Sequence, residues 1–272
     1  MTQRMRKIQA VHSSKQLEVK YRRELEALLR YMLDIALDEL REPEKVNDAL
    51  PDYFKSLTAK MNRIFDKLDA IDLSMFANLI ASRVVNTANN ANKERFNRQA
   101  SKTFGIDLKG ALSSSGKAVQ DQLAIDRELN ASLIKSVATE FKQQISETIM
   151  TNVQSGQRST DLITQIKERY HVSQSRAKLI ARDQTSKLNG SLVKARAEAV
   201  GSKTYIWSAV GDERSRPDHT AMNGKLCKMD DPTVFSDDDG KTWKKRKQIG
   251  GVELHPSQDY NCRCNMLPVV EF

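Results

Sequence analysis

The sequence predicts a mainly α fold: a long N-terminal helical region followed by a small, loop-rich α+β module at the C-terminal end. Three observations carry that reading. Apolar residues recur at three- and four-residue spacing through most of the first two hundred positions. Charged residues make up 29% of the 272 and aromatics only 6%, a balance suited to amphipathic helices with broad solvated faces. Gly and Pro are sparse early and concentrate near and after residue 200, where turns must dominate.

The first helix follows Leu17, Tyr21, Leu25, Leu28, Met32, Ile35 and Glu39, and ends before Pro43, whose ring cannot continue the hydrogen-bond ladder. A second follows Pro51 with Phe54, Leu57, Met61, Ile64, Phe65 and Leu68. A third runs from about Ser74 through Phe76, Leu79, Ile80, Val84 and Ala88 toward Phe96. Gly105, Gly110 and Ser113-Ser114-Ser115-Gly116 mark an interruption. The pattern resumes with Leu129, Leu133, Ile134, Val137, Phe141, Ile145, Ile149 and Val153, and Ser155-Gly156 stops it. A short helix capped by Ser159 or Thr160 with Asp161 holds Leu162, Ile163 and Ile166. Another begins at Ser173 and carries Ala177, Ile180, Gln184, Leu188, Leu192 and Ala195 before Gly201. No fixed-period repeat is present.

The character changes at Lys203. Thr204 to Val210 has the aromatic and β-branched content of a strand. Turn residues then dominate, with Asp239-Gly240 as the tip of one turn. Met266-Leu267-Pro268-Val269-Val270 predicts a final strand, placed at a sheet edge by Pro268.

Composition excludes several classes. No apolar stretch approaches the roughly 18 residues that span a bilayer, and the basic start is followed by His12, Ser13 and Ser14 rather than the apolar core of a signal peptide. The expectation is a soluble chain that begins in the cytosol. Three cysteines are too few for a disulfide scaffold; Cys262 and Cys264 are poorly spaced to bridge each other, and Cys227 has no evident partner. From Ser202 onward 11 Lys/Arg stand against 11 Asp/Glu, so the whole formal excess of +9 lies in residues 1–201. Such a surface suits a polyanion or an acidic partner, or is simply a solvated helix face.

The most informative run is Trp207, then Gly211-Asp212-Glu213-Arg214-Ser215-Arg216-Pro217-Asp218-His219, then Asn223-Gly224, with His255-Pro256 and Asn261-Cys262-Arg263-Cys264 further on. It resembles the Mu F-like head morphogenesis family of phage minor capsid proteins. That family shows a tryptophan strand, an Asp-x-Arg-x-Arg-x-x-His phrase and a terminal His-Pro…Asn-Cys-Arg-Cys. The resemblance covers about residues 140–270. It divides the chain into a helical region 1–140 for assembly and partner docking and a Mu F-like domain 141–272, with helices over 141–200 and the α+β module over 201–272. One departure stands out: the family's leading helix reads Ala-Arg-Thr-Glu where this chain has Ala181-Arg182-Asp183-Gln184.

Chemically, His219, His255, Cys262 and Cys264 are two imidazoles and two thiols, a tetrahedral zinc set by type, with Cys227 as a substitute ligand. The bland alternative has the histidines bonding loop carbonyls and the thiols packing as small hydrophobes. Arg214, Arg216 and Arg263 stand near Asp212, Asp218 and Asp259 in sequence, and bidentate pairs among them would tie the post-strand loop to the Cys-Arg-Cys loop. Asp218-His219, Asn223, His255 and Asn261 loosely match His-Asn-His nuclease residues, but not at the usual spacing. Asp237-Asp238-Asp239-Gly240 lacks the alternation of a calcium loop. Arg176, Lys178, Arg182, Lys187, Lys194 and Arg196 offer sequence-independent phosphate contacts, and Lys241, Lys244, Lys245, Arg246 and Lys247 a solvated basic loop.

The resemblance implies an interaction protein rather than an enzyme: a low-copy component inside the capsid near the portal, present in the host cytoplasm during assembly. Its partners would be the portal protein, other head proteins and double-stranded DNA, with no membrane and no small-molecule substrate. A structural zinc is the one cofactor in question. The rival reading is a metal-dependent nuclease or toxin-like effector using His219 and His255.

Overall fold

A computed structural model of the chain describes residues 5–42, 50–105, 116–155 and 159–271. The predicted stops at Pro43, Gly110, Ser113 to Ser115 and Gly156 lie outside those residues. Helices dominate, in the order α1 (Lys15–Arg41), α2 (Leu50–Asp69), α3 (Leu73–Phe104), α4 (Lys117–Ser155) and α5 (Ser159–Ala199). No described helix is long and apolar enough to cross a membrane.

Each helix follows from its apolar stripe and its ends. In α1, Leu17, Tyr21, Leu25, Leu28, Met32 and Leu33 are buried at the expected spacing. Asp72 caps α3 by accepting the Met75 N–H at 2.9 Å. Gly105, at φ 73°, closes α3 through its N–H to Ser101 O at 2.8 Å. At the end of α5, Gly201 takes φ 81° while Ser202 N–H reaches Ala197 O and Gly201 N–H reaches Glu198 O, the paired bonds of a Schellman stop. The Ser202 hydroxyl then bonds Val269 O at 2.7 Å, fastening the helix end to the sheet that follows.

Two helices differ from the sequence reading. The two helices expected over 159–200 are one α5 of 41 residues. Leu162, Ile166, Tyr170, Ser173 and Ala177 are all buried, so the stripe never breaks, and the Ser173 hydroxyl bonds Gln144 at 3.3 Å rather than capping a new start. Helix α4 begins at Lys117, well before Leu129. Its first turns bury Asp126 and Asn130 among Val119 and Leu123, which hides the period. Gln122 and Ser191 satisfy Asp126, and Tyr21 donates to Asn130 at 2.8 Å.

By contact the chain forms two compact units, each assembled from separated stretches: 1–18, 84–127 and 182–272 in the first, 19–83 and 128–181 in the second. Neither coincides with a cut at residue 140.

The first unit contains a six-stranded antiparallel sheet in the order β1-β6-β2-β3-β4-β5, from β1 (Met5–Lys7), β2 (Thr204–Ser208), β3 (Leu226–Lys228), β4 (Val234–Ser236), β5 (Lys244–Lys245) and β6 (Asn265–Glu271). A five-residue helix α6 (Pro217–Ala221) follows β2, and a 3₁₀ turn, Arg246–Ile249, follows β5. Alternation on β2 buries Tyr205 and Trp207. They join a core with Phe96, Ala197, Met222, Phe235, Cys262, Cys264 and Met266.

Strand β6 is not the edge that Pro268 suggested. It pairs with β2, Tyr205 opposite Pro268, and with β1, Met5 opposite Glu271 and Lys7 opposite Val269. Pro268 lies just past the end of the β1 ladder, where only its carbonyl is used, accepting Ile8 N–H at 2.8 Å. The N-terminal segment thus supplies a strand to the C-terminal module, and its Ile8 and Val11 are buried in the same core. Replacing Ile8 by Ala is expected to lower the stability of the first unit by about 2–4 kcal/mol. The check is the urea midpoint of unfolding followed by tryptophan fluorescence, from Trp207 and Trp243.

Candidate functional site

The site lies where α5 meets the loop of residues 255–264. Positions 183, 186 and 190 share one face of α5, and each is committed to that loop. Asp183, 4% exposed, accepts the Asn261 N–H at 2.6 Å and pairs with Lys187 at 2.8 Å. The Ser186 hydroxyl bonds Cys262 O at 2.8 Å. At Gly190 the backbones come so close that a Cβ would stand 2.7 Å from the Ser257 Cβ and 3.2 Å from Pro256 O. The carboxylate one residue early in Ala181-Arg182-Asp183-Gln184 is therefore a working part: it stabilises the left-handed Asn261, at φ 53°, that turns the chain into the cysteines.

That turn delivers Cys262 and Cys264 to one buried spot with His219 from α6. His219 Nδ1 is 3.4 Å from Cys264 Sγ and 3.5 Å from Cys262 Sγ. The Ser257 N–H points at Cys262 Sγ, 3.3 Å away. The other imidazole nitrogen, Nε2, is held 3.0 Å from Asp259, which is itself clamped by Arg216 at 2.6 Å. Trp207 packs edge-on to the imidazole, ring centres 5.7 Å apart. Hydrogen bonding from Cys264 and His219 lowers the Cys262 thiol well below its usual range against the burial that opposes it, while Cys264 is pushed up in return. The hydrogen bond to Cys262 in turn raises the imidazole pKa.

Of the four predicted ligands the structure brings three together. His255 is elsewhere, both ring nitrogens engaged, Nδ1 by the Tyr205 hydroxyl at 2.9 Å and Nε2 by Lys194 Nζ at 3.3 Å. Cys227 is buried on β3, outside the cluster. Burial, with Lys194 and Arg246 adding repulsion, brings His255 down to about 4, so at neutral pH it is uncharged.

The Arg–Asp pairs expected between the loops are present. Arg263 grips Asp212 in a two-pronged pair, both contacts 2.6 Å, holding the carboxyl down to about 2. Arg216 joins Asp259 and Tyr260 O. Arg214 supplies only its N–H to Asp212, and its side chain is exposed. Asn223 accepts the Ala209 N–H, and Gly224, at φ 77°, bonds Trp207 O, so both serve the turn into β3. Asp238 gathers Ser236 and Thr242 around a turn whose tip, Asp239 and Gly240, is left-handed.

Two predicted basic surfaces need correction. Arg246 is not part of a solvated loop: it is fully buried and donates to Val234 O, Val252 O, Leu254 O and the Tyr205 hydroxyl. Arg196 is 5% exposed and bound to Asn89 and Asn92, so it faces the core rather than a phosphate; burial lowers it to about 10. Arg176 pairs with Glu140, and Lys187 with Asp183. Lys178 remains exposed, and Arg182 lines a cavity beside the thiols. Sequence reading missed Tyr205, Ser257 and Gly190 as site residues; only Gly190 left a signal, as a lone glycine inside a helical pattern.

Residues 143–267 match the model of the family described as Phage Mu protein F like protein. A Haemophilus influenzae protein described as uncharacterized is 30% identical over 272 residues, covering 98% of this chain and 56% of that protein. The Minor head protein GP7 of Bacillus phage SPP1 is 25% identical over 141 residues, 48% of this chain and 42% of its own. The chain spans about half the length of the curated relatives it matches. No solved structure matches. The matched stretch takes in α5, β2 to β5 and the His219–Cys262–Cys264 cluster. Over residues 143–267 the chain is thus similar to the Mu F-like family, and part of it to a minor head protein.

Two outcomes test this description. Gly190→Ala should destabilise the first unit by about 1–3 kcal/mol, although alanine ordinarily strengthens a helix interior, because the loop has nowhere to retreat; thermal unfolding reads the sign. His255, whose folded pKa lies below its unfolded value of roughly 6.5, contributes stability that is full above that pH and is lost as pH falls toward about 4. The stability difference between the parent and His255→Asn should therefore shrink on acidification over that window, by on the order of 2–3 kcal/mol.

Proposed function

We propose that the protein is a phage minor head protein that docks on the portal and other head components during procapsid assembly and lies inside the capsid near the portal. The observation that carries this reading is the Mu F-like match over residues 143–267, together with the likeness to a minor head protein. The site chemistry agrees with an assembly role. His219 and His255 are 3% and 5% exposed with their ring nitrogens engaged, and Asp212, Arg216, Asn223 and Arg263 are spent on joining loops.

The second unit supplies surface for partners. Tyr31, Met75 and Leu79 are 52%, 55% and 44% exposed, and the Tyr31 ring lies against Phe76 at 6.4 Å, so an apolar patch on α1 and α3 stands in solvent. The net charge of +9 suits a secondary contact with packaged DNA, weaker than the six basic residues of α5 suggested, because Arg196 is buried.

Co-expression with the cognate portal protein should yield a complex that survives size exclusion, weakened several-fold by Met75→Glu with Leu79→Glu. Failure to co-elute with the portal or any head protein would sink the assembly reading. DNA retention should be present at low salt and vanish as salt rises; none at low salt removes the DNA contact. Metal-dependent plasmid cleavage that is lost in His219→Ala would replace this reading with an enzymatic one.

A further inference from the structure

The cluster of His219, Cys262 and Cys264 has the geometry of a metal centre. With zinc–sulfur bonds of about 2.3 Å, zinc–nitrogen bonds of about 2.0–2.1 Å and tetrahedral angles, nitrogen and sulfur ligands sit about 3.6 Å apart and two sulfurs about 3.8 Å apart. His219 Nδ1 lies 3.4 and 3.5 Å from the two sulfurs, and all three ligand atoms lie within 4.8 Å of one another. The three side chains need only a small adjustment to close on an ion.

Their surroundings point the same way. Asp259 holds His219 Nε2 at 3.0 Å and is held by Arg216, the carboxylate–histidine arrangement that fixes a ligating imidazole in one tautomer with its other nitrogen toward the metal. The Ser257 N–H is directed at Cys262 Sγ. The indole N–H of Trp207, 1% exposed, has no hydrogen-bond partner among the described residues, and its ring packs edge-on to His219, 5.7 Å between centres. A thiolate there would be its acceptor. Cys-x-Cys suits this place because alternate residues of a chain entering β6 fall on one side, so both sulfurs meet His219 without a knuckle turn.

We propose that His219 Nδ1, Cys262 Sγ and Cys264 Sγ bind one zinc ion. Two thiolates neutralise the divalent charge, and the thiol protons leave to solvent as the metal enters. Thiolate and imidazole together select zinc over magnesium or calcium. The fourth position faces a cavity of about 250 Å³ lined by both cysteines, Arg182, Ser186, Asn189 and Arg263, and water takes it in the isolated protein. The ion joins α6 to the loop before β6. This inference does not rest on the proposed portal role, and its test leaves that role untouched.

The full-length protein, purified reduced and without a polyhistidine tag, should carry one equivalent of zinc by elemental analysis. After chelation and cobalt loading, the wild-type chain should show the visible bands of a tetrahedral cobalt centre with a thiolate charge-transfer band whose intensity corresponds to two sulfurs. Cys262→Ser, Cys264→Ser and His219→Ala should each reduce stoichiometric metal at least tenfold, whereas Cys227→Ser and His255→Asn retain it. The cobalt spectrum of the wild type keeps the test decisive if a variant fails to fold. Reduced wild-type protein that takes up neither metal stoichiometrically, shows octahedral cobalt, or keeps its metal when both Cys262 and Cys264 are replaced by Ser would overturn the proposal.

Discussion

A single guanidinium organises the C-terminal module. Arg246 is completely buried, yet it meets no carboxylate among the described residues; its donors go to Val234 O, Val252 O, Leu254 O and the Tyr205 hydroxyl. A loop-rich domain must bury carbonyls that no strand or helix satisfies, and each left unpaired costs about 1–3 kcal/mol. One rigid five-donor fork answers several of them at once and ties β2, β4 and the loop after the 3₁₀ turn together. The charge has consequences around it. It helps keep His255 neutral, and it offsets part of the burial that raises Cys227 to about 11. Its face also stacks 5.6 Å from Trp207, the residue that shields His219.

The second constraint is the seam between α5 and the loop of residues 255–264. Asp183 and Ser186 hold its backbone, and Gly190 lets it approach. The bidentate Arg263–Asp212 pair and the Arg216–Asp259 pair then draw in the loop after β2. As exposed pairs these contribute little stability individually. Their value is geometric: with both in place, the imidazole on α6 and the two sulfurs ahead of β6 have little freedom to separate. Asp183, Asp212, Arg216, Asp259 and Arg263 are thus devoted to setting one buried contact.

Much of this was legible from sequence, and the failures are specific. Helix stripes in α1 to α3 were readable because most of their core residues are apolar, with Glu39, Lys60, Asn92 and Asn97 as buried polar exceptions. The start of α4 was not, because Asp126 and Asn130 occupy core positions and satisfy their polarity through Gln122, Ser191 and Tyr21, which sequence spacing does not reveal. The continuity of α5 was obscured by the polar run Glu168 to His171, although Tyr170 packs on Phe141 at 6.1 Å between ring centres. At the site, residue types located His219, Cys262, Cys264 and the Arg–Asp ties. They misplaced His255, since a histidine beside a proline looks the same whether it meets a sulfur or a tyrosine. Arg246 and Arg196 looked solvated because charge alone does not report burial; their acceptors are carbonyl, hydroxyl and amide oxygens, from nearby loop residues such as Leu254 to distant ones such as Asn89.

The strand β1 has a bearing on how the molecule comes into being. Because Met5 lies opposite Glu271, the first unit contains pairings that span nearly the whole described chain, while 19–83 and 128–181 build a separate compact unit from helices. Nonlocal pairings of this kind give a high contact order and slow assembly. On the ribosome, the helices of the second unit can pack before β6 has been made, whereas the apolar Ile8 and Val11 must wait unburied for a strand made far later. An interval of this sort favours capture by chaperones or by a neighbouring copy, so the order of synthesis itself becomes a hazard that the fold must survive.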